Sequence, residues 1–120
     1  MESKLIFTAE EKSFIIEADG KKLRVSYVGF RGSHSDAMVF CKEQGGGDET
    51  VENLRFIARY RDAINKELKK LGKGYISGFY WSNEVTWWSD DRAFVVNTSL
   101  GIVSRENCDD RYPACAVSVL

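Results

Sequence analysis

The 120-residue chain has the length of one domain built around a single hydrophobic core. Its 17 basic and 18 acidic residues give a net charge of −1, without the positive excess that binding to a phosphate backbone requires, so we expect no nucleic-acid partner. Because no window approaches the about 18 consecutive apolar residues of a membrane-spanning helix, we also expect no membrane insertion.

Short apolar runs separated by polar residues predict strands over residues 1–30. Asp19 and Gly20 form a dipeptide that tolerates positive φ, which predicts a tight turn between Phe14–Glu17 and Leu23–Val28. These two runs should therefore pair as an antiparallel hairpin, and the chain opens with a β-meander.

A first helix is predicted from Ser33 or Ser35, either of which can cap its N-terminus, through Gln44. The glycines at 45–47 should end it, because residues without Cβ allow a left-handed conformation and a reversal of the chain. Phosphate-binding glycine loops precede a helix instead, so we assign these glycines to helix termination. The residues expected to face the core are Ala37, Val39, Phe40 and Cys41.

A second, unbroken helix is predicted from Thr50 to Leu71, with Gly72 as its C-terminal cap. Its apolar residues recur mostly every three or four positions and form one stripe, which we expect to pack on the sheet. The stripe consists of Val51, Leu54, Ile57, Ala58, Ile64, Leu68 and Leu71.

After Gly72 the sequence becomes aromatic and β-branched, which predicts strands at about 75–85, 93–97, 101–104 and 114–120. The order of strands, two helices and strands indicates an α+β fold. We expect the terminal strands to meet in one antiparallel sheet on which both helices pack.

Two stretches carry a family resemblance. SDAMVFCKEQGGG, from residue 35, resembles the first helix of C-type-lectin-like domains, in which an Ala and then a Cys face inward before a Gly-rich turn. GFYWSNEV, AFVVNTSLGIVS and the final CAVSVL resemble the bacterial branch of that fold, the Lcl or DUF1566 type, which is related to formylglycine-generating-enzyme-like domains. The resemblance covers residues 31–120 of a single domain over 1–120 and leaves the meander at 1–30 unexplained.

The resemblance implies a disulfide between Cys41 and Cys115, with Cys108 left as a free thiol. Such a bridge would form only in an oxidising compartment, so a leader removed before residue 1 would place the protein outside the cell or at its surface. The Glu-Pro-Asn, Gln-Pro-Asp and Trp-Asn-Asp motifs of calcium-dependent lectins are absent, which implies calcium-independent binding. The Trp-Arg-Leu-Pro segment that precedes the second helix in the family is replaced here by residues 48–51. We therefore expect the chain to lead into this helix in a different way from the family.

Residues for catalysis are few. His34 is the only histidine, and its place at the start of a helix predicts a surface or capping role. Cys108 and Cys115 lack the C-x₂-C spacing of zinc sites, so we expect no metal, no cofactor and no catalytic residue. The acidic residues Glu84, Asp90, Asp91, Asp109 and Asp110 suit a cation site, but turn-forming acids are the favoured interpretation.

The aromatic residues near position 80 carry the most information. Neighbouring side chains of a strand point to opposite faces, so Phe79 and Trp81 should share one face while Tyr80 takes the other, and Trp81 should be a core residue. Trp87 and Trp88 are also neighbours, so one of them should be partly exposed unless both pack on the long helix.

An exposed Trp beside charged and amide side chains is typical of a recognition surface. The predicted ligand-binding residues are Trp87, Trp88, Asp90, Asp91, Arg92, Asn107 and Tyr112.

Three functions compete. The first is a non-catalytic module that binds a glycan or a protein. The second is a structural or assembly protein, such as a bacterial surface or phage-particle component, which would form homo-oligomers. The third is an enzyme of the formylglycine-generating type, against which the single histidine and the missing cysteine context argue.

Overall fold

The structure, a computed structural model, describes residues 4–86 and 91–120. Within them, three helices and two antiparallel sheets form an α+β fold. The elements in chain order are β1 Ile6–Ala9, β2 Ser13–Ala18, β3 Lys21–Gly32, α1 His34–Glu43, α2 Val51–Arg59, α3 Arg61–Lys70, β4 Phe79–Val85, β5 Arg92–Asn97, β6 Ile102–Asn107 and β7 Tyr112–Val119.

The predicted N-terminal meander is confirmed. Strands β1, β2 and β3 are consecutive antiparallel neighbours, and the β2–β3 turn places Asp19 at φ 51° and Gly20 at φ 75°. Two consecutive residues with positive φ match the right-handed twist of the strands they join. The dipeptide therefore fixes the register in which Phe14 lies opposite Val25.

The prediction of one sheet is only partly right. The last strand, β7, does pair with β3, which completes a four-stranded sheet of order β1-β2-β3-β7. Strands β4, β5 and β6 form a separate three-stranded sheet. The physical reason lies in residues 47–49, which run between β4 and β7 and hydrogen-bond to both strands.

Glu49 makes the central bonds of this insertion. Its carboxylate Oε2 accepts hydrogen bonds from the backbone N–H of Val117 at 2.7 Å and of Gly47 at 2.9 Å. Its carbonyl oxygen accepts the N–H of Asn83, on β4, at 2.8 Å. Glu49 is 1% exposed, and an added Cβ on Gly46 would lie 2.5 Å from its Oε2, so the glycine leaves room for the carboxylate.

The prediction of one long helix is wrong, because Tyr60 separates α2 from α3. Its φ of −105° and ψ of 15° leave the helical region, and its hydroxyl donates a hydrogen bond to the carboxylate of Asp19 in the β2–β3 turn. The entry of α2 is capped by Thr50, whose Oγ1 accepts the N–H of Asn53 at 3.1 Å. A local cap thus sets the start of α2, whereas a contact distant in sequence lies at its end.

Two hydrophobic clusters fill the interior. The larger cluster lies between the four-stranded sheet and helices α2 and α3, and it contains the predicted residues Leu54, Ile57, Ile64 and Leu68. The smaller cluster gathers around Trp81 and includes Ala37 and Cys41 of α1. Of the other stripe residues, Val51 and Ala58 are half-buried and Leu71 is exposed.

On α1, Ala37 and Cys41 are buried as predicted and Phe40 is partly buried. Val39 is 58% exposed, so its predicted core position is wrong. Successive helical residues are rotated by about 100°, which places Val39 on the side of the helix opposite Ala37 and Cys41. Ser33 is the N-cap residue, but its side chain makes no capping hydrogen bond.

Leu68→Ala tests the packing of α3. Leu68 is 2% exposed, so its truncation should lower the free energy of unfolding by about 2–5 kcal/mol. Leu100→Ala is the control, because Leu100 is 70% exposed and its truncation should change stability by less than about 0.5 kcal/mol. Urea denaturation measures both, and equal losses would contradict the placement of Leu68 in the core.

Glu49→Ala tests the connection between the sheets. The variant leaves the N–H groups of Gly47 and Val117 without their acceptor, so the free energy of unfolding should fall by about 3 kcal/mol or more. Glu52→Ala is the matched control, since the Glu52 side chain is exposed and its loss should cost less than about 1 kcal/mol. A Glu49→Ala protein as stable as the control would show that these bonds contribute little.

Candidate functional site

One end of the three-stranded sheet brings together three of the predicted site residues. Arg92, the first residue of β5, lies opposite Asn107, the last residue of β6. The N–H of Cys108 donates to the carbonyl oxygen of Asp91 at 2.8 Å, which fastens the turn after β6 to the start of β5. Asp91, Arg92 and Asn107 are exposed at this end of the sheet, and we call the area that they occupy the β5–β6 surface.

Trp87, Trp88 and Asp90 lie outside the described residues. The described residues on either side of that segment lie close together, because the N–H of the buried Thr86 donates to the carbonyl oxygen of Arg92 at 3.0 Å. Because neither tryptophan is among the described residues, the prediction that one of them is partly exposed stays a prediction.

Asn107 takes part in its own turn. Its Oδ1 accepts the N–H of Asp109 at 2.9 Å, and its carbonyl oxygen accepts the N–H of Asp110 at 2.9 Å. This is the local bonding that makes Asn common in turns. The side chain thus orders the turn that carries Asp109 and Asp110 at the edge of the β5–β6 surface.

Tyr112 belongs partly to the interior. Its ring lies edge-on to Trp81, with centroids 5.1 Å apart, and to Phe79 at 6.1 Å. Its hydroxyl reaches Glu106, a β6 residue whose contact with Tyr112 sequence reasoning missed. Burial, followed by the carboxylates of Glu106 and Asp110, raises the pKa of Tyr112. The ring of Tyr112 therefore packs in the interior, and only its hydroxyl group lies near the β5–β6 surface.

The predicted division of the β4 aromatics is confirmed. Phe79 and Trp81 pack in the smaller cluster, while Tyr80 packs against the larger one. Trp81 is fully buried, and its Nε1–H donates to the carbonyl oxygen of Gly32 at 2.9 Å. This bond ties the three-stranded sheet to the end of β3.

The predicted surface or capping role of His34 is wrong. The residue is 8% exposed, its ring lies edge-on to Trp81, and its Nε2–H donates to the carbonyl oxygen of Ser82 at 2.9 Å. Burial lowers the pKa of His34, and the bond to Ser82 opposes that shift. The sequence gives no signal for this role, because the β4 partners lie almost fifty positions away.

The cysteines predicted to form a bridge are neighbours, but the bridge is not formed. The Sγ–H of Cys41 donates to the carbonyl oxygen of Cys115 at 3.5 Å, and both residues carry free thiols, as Cys108 does. Burial, followed by the charge of Glu49, raises the pKa of Cys41 to about 12. Burial also raises the pKa of Cys115, so both thiols are protonated at neutral pH.

Among residues 4–86 and 91–120, no group of three His, Cys, Asp or Glu residues is arranged to hold a metal ion. Glu84, considered with Asp90 and Asp91 as a cation ligand, instead accepts the N–H of Val51 at 2.6 Å. A carboxylate is favourable there because the first N–H groups of a helix lack partners. None of the helices in the described part of the chain has the length and apolar character needed to cross a membrane.

Comparisons with protein-family models, with curated proteins and with solved structures found no match to this chain.

His34 predicts a pH dependence of stability. Its pKa lies below 6.5 in the folded protein, so the unfolded chain binds the proton more readily, and the stabilisation present above pH 6.5 should be lost as the pH falls below that value. Thermal denaturation between about pH 7.5 and 5.5 measures the effect, and this range lies above most carboxylate titrations. His34→Gln should show a flatter profile; profiles of equal slope would contradict the assignment.

Thiol reactivity should follow burial. A chromogenic disulfide reagent should modify the half-buried Cys108 of the native protein before Cys41 and Cys115. After denaturation without reductant, all three thiols should react. Cys108→Ser should remove only the fast phase, and a single reactive thiol in the denatured parent would mean that two of the three cysteines are bridged.

Proposed function

We propose that the protein is a non-catalytic, calcium-independent binding module with a C-type-lectin-like fold, and that it binds a glycan or protein through the β5–β6 surface. The observation that carries the proposal is the bond from Cys108 N–H to Asp91 O, which joins two loops that are predicted to bind. A carboxylate, a guanidinium and an amide within one exposed area suit a polar ligand. Trp87 and Trp88, which follow Thr86 in sequence, would supply the apolar contact.

The arrangement of elements supports the C-type-lectin-like part of the proposal. Ala37 and Cys41 face inward from α1, as the resemblance implies, and the terminal strand lies next to the strand that precedes α1. Residues 47–49 connect the Gly-rich turn to α2, and these three residues lie between the two sheets. Because a fold does not determine a function, the binding role rests on the surface residues alone.

The chemistry of the buried groups favours binding over catalysis. A nucleophilic thiol must reach the thiolate form, and burial raises the pKa of Cys41 to about 12. His34 donates its Nε2–H to a backbone carbonyl oxygen, so this nitrogen offers no lone pair to a thiol. Cys108 is the most accessible thiol, but burial and the carboxylates of Asp91 and Asp109 raise its pKa as well.

Substitutions on the β5–β6 surface test the proposal. A glycan array and a protein-binding screen supply the ligand, and Trp87→Ala, Trp88→Ala and Arg92→Gln are then compared with the parent. At least one Trp variant should lose about 2 kcal/mol or more of binding free energy, roughly a thirtyfold change in Kd. Arg92→Gln should weaken binding and leave folding unchanged, because Arg92 is exposed.

Arg55→Gln is the matched control, since Arg55 is exposed on α2, outside the β5–β6 surface, and its loss should leave binding unchanged. Thermal denaturation separates a binding residue from a core residue. If both Trp variants melt lower by more than about 4–8 °C, the change that 1 kcal/mol produces in a domain of this size, both tryptophans are core residues and the assignment of this loop fails.

A second function, assembly, is favoured by one observation. Strand β6 is an edge of its sheet, and Leu100, Ile102 and Val103 at and before its start are exposed apolar residues. Exposed apolar residues on an open edge favour pairing with another chain. Sedimentation over a range of concentrations distinguishes the two functions: a mass that rises with concentration supports assembly, and a constant monomer mass excludes it.

A further inference from the structure

A cavity of about 220 Å³ lies between α3 and the four-stranded sheet, and it shares no residue with the β5–β6 surface. We call it the tyrosine cavity, because Tyr27, Tyr75 and Tyr80 line it together with Phe14 and Ile76. A cavity of about 150 Å³ lined by apolar side chains accommodates benzene. The tyrosine cavity is therefore large enough for one aromatic ring with a short substituent.

An irregularity in β3 forms one wall. Val25 lies opposite Val117 and Gly29 lies opposite Cys115, so three residues of β3 face a single residue of β7. A bulge of this kind redirects the side chains that it contains. It brings Tyr27 to the cavity and to the ring of Phe14, whose centroid is 5.7 Å away.

A positive charge lies beside the cavity, next to the lining residues Tyr27 and Gly74. Lys73 Nζ lies 4.7 Å from the centroid of the Tyr27 ring, and the N–H of Lys73 donates to the carbonyl oxygen of Leu68 at 3.0 Å, which anchors its backbone at the end of α3. Among residues 4–86 and 91–120, no Asp or Glu lines the cavity and no carboxylate lies within ion-pair distance of Lys73. The cavity thus has beside it an ammonium group that no carboxylate in the described part of the chain neutralises.

We propose that the tyrosine cavity binds a small aromatic acid, whose ring lies among the three tyrosines and whose carboxylate lies at Lys73 Nζ. Aromatic rings pack edge-on or offset against one another, and such a ring in the cavity can do so with Tyr27 and Tyr75. A carboxylate complements the lysine, whereas an ammonium group of the same size would be repelled by it. The ligand class follows from ring-sized space, aromatic walls and the positive charge of Lys73 beside them.

Three probes of similar size and different charge test the inference: phenylacetate, phenylacetamide and phenethylamine. They are titrated into the full chain while backbone amide NMR signals are recorded. Ligands of about ten non-hydrogen atoms should bind with millimolar to submillimolar Kd. Phenylacetate should bind most tightly and phenethylamine most weakly, and the shifted signals should cluster at residues 26–29 and 73–76.

Two kinds of variant distinguish the contribution of the Lys73 charge to binding from that of the cavity itself. Lys73→Gln should weaken phenylacetate about two- to fivefold and leave phenylacetamide unchanged, while Lys69→Gln, an exposed control on α3, should change neither. Gly74→Phe should weaken binding of all three probes, because Gly74 lines the cavity and an added Cβ there meets no atom within 4 Å, so the larger side chain is tolerated at the cavity wall.

Tyr75→Ala removes a wall residue that is 71% exposed, so it should weaken all three probes without unfolding the protein. The inference is overturned if no probe shifts the signals at residues 26–29 and 73–76, if the three probes bind equally, or if Gly74→Phe and Tyr75→Ala both bind like the parent.

Discussion

The buried carboxylate of Glu49 is the interaction on which the placement of the two sheets depends. It accepts the N–H of Val117 from one sheet, while the backbone oxygen of the same residue accepts the N–H of Asn83 from the other. A carboxylate costs free energy to bury unless hydrogen bonds replace its water. Here two backbone N–H groups do so, and Gly46 provides the space that the carboxylate needs. The inserted loop and the carboxylate therefore stabilise each other's position.

The β5–β6 surface is positioned as a consequence. Once β4 is held beside β7, the Trp81 side chain can donate its hydrogen bond to Gly32 at the end of β3 and pack edge-on against Tyr112. These contacts connect the three-stranded sheet to the four-stranded sheet at a second point. The loops of the candidate site lie at the end of this fixed sheet. A binding surface on loops that a rigid scaffold holds loses less entropy on binding than one on free segments. The tyrosine cavity has a different origin, because it forms where β3 departs from regular pairing with β7.

Local rules explain which sequence predictions succeeded. The Asp19-Gly20 turn needs only two residues with positive φ, and the alternation of Phe79, Tyr80 and Trp81 needs only the pleat of a strand. Leu54 and Leu68 were recognised as core residues although the helix between them is broken. Each half keeps its own apolar face, so a break at one residue leaves the burial of both halves intact.

Taken by itself, the sequence determined the α+β class, the N-terminal meander and the apolar faces of α2 and α3, because these depend on neighbours within a few positions. Only the tertiary structure decided that Tyr60 ends a helix, that residues 47–49 separate two sheets, and that His34 is buried. Each of these depends on a partner far along the chain: Tyr60 bonds a residue 41 positions away, and Glu49 bonds one 68 positions away. Such contacts leave no periodic signal, since either residue alone fits an ordinary turn or surface.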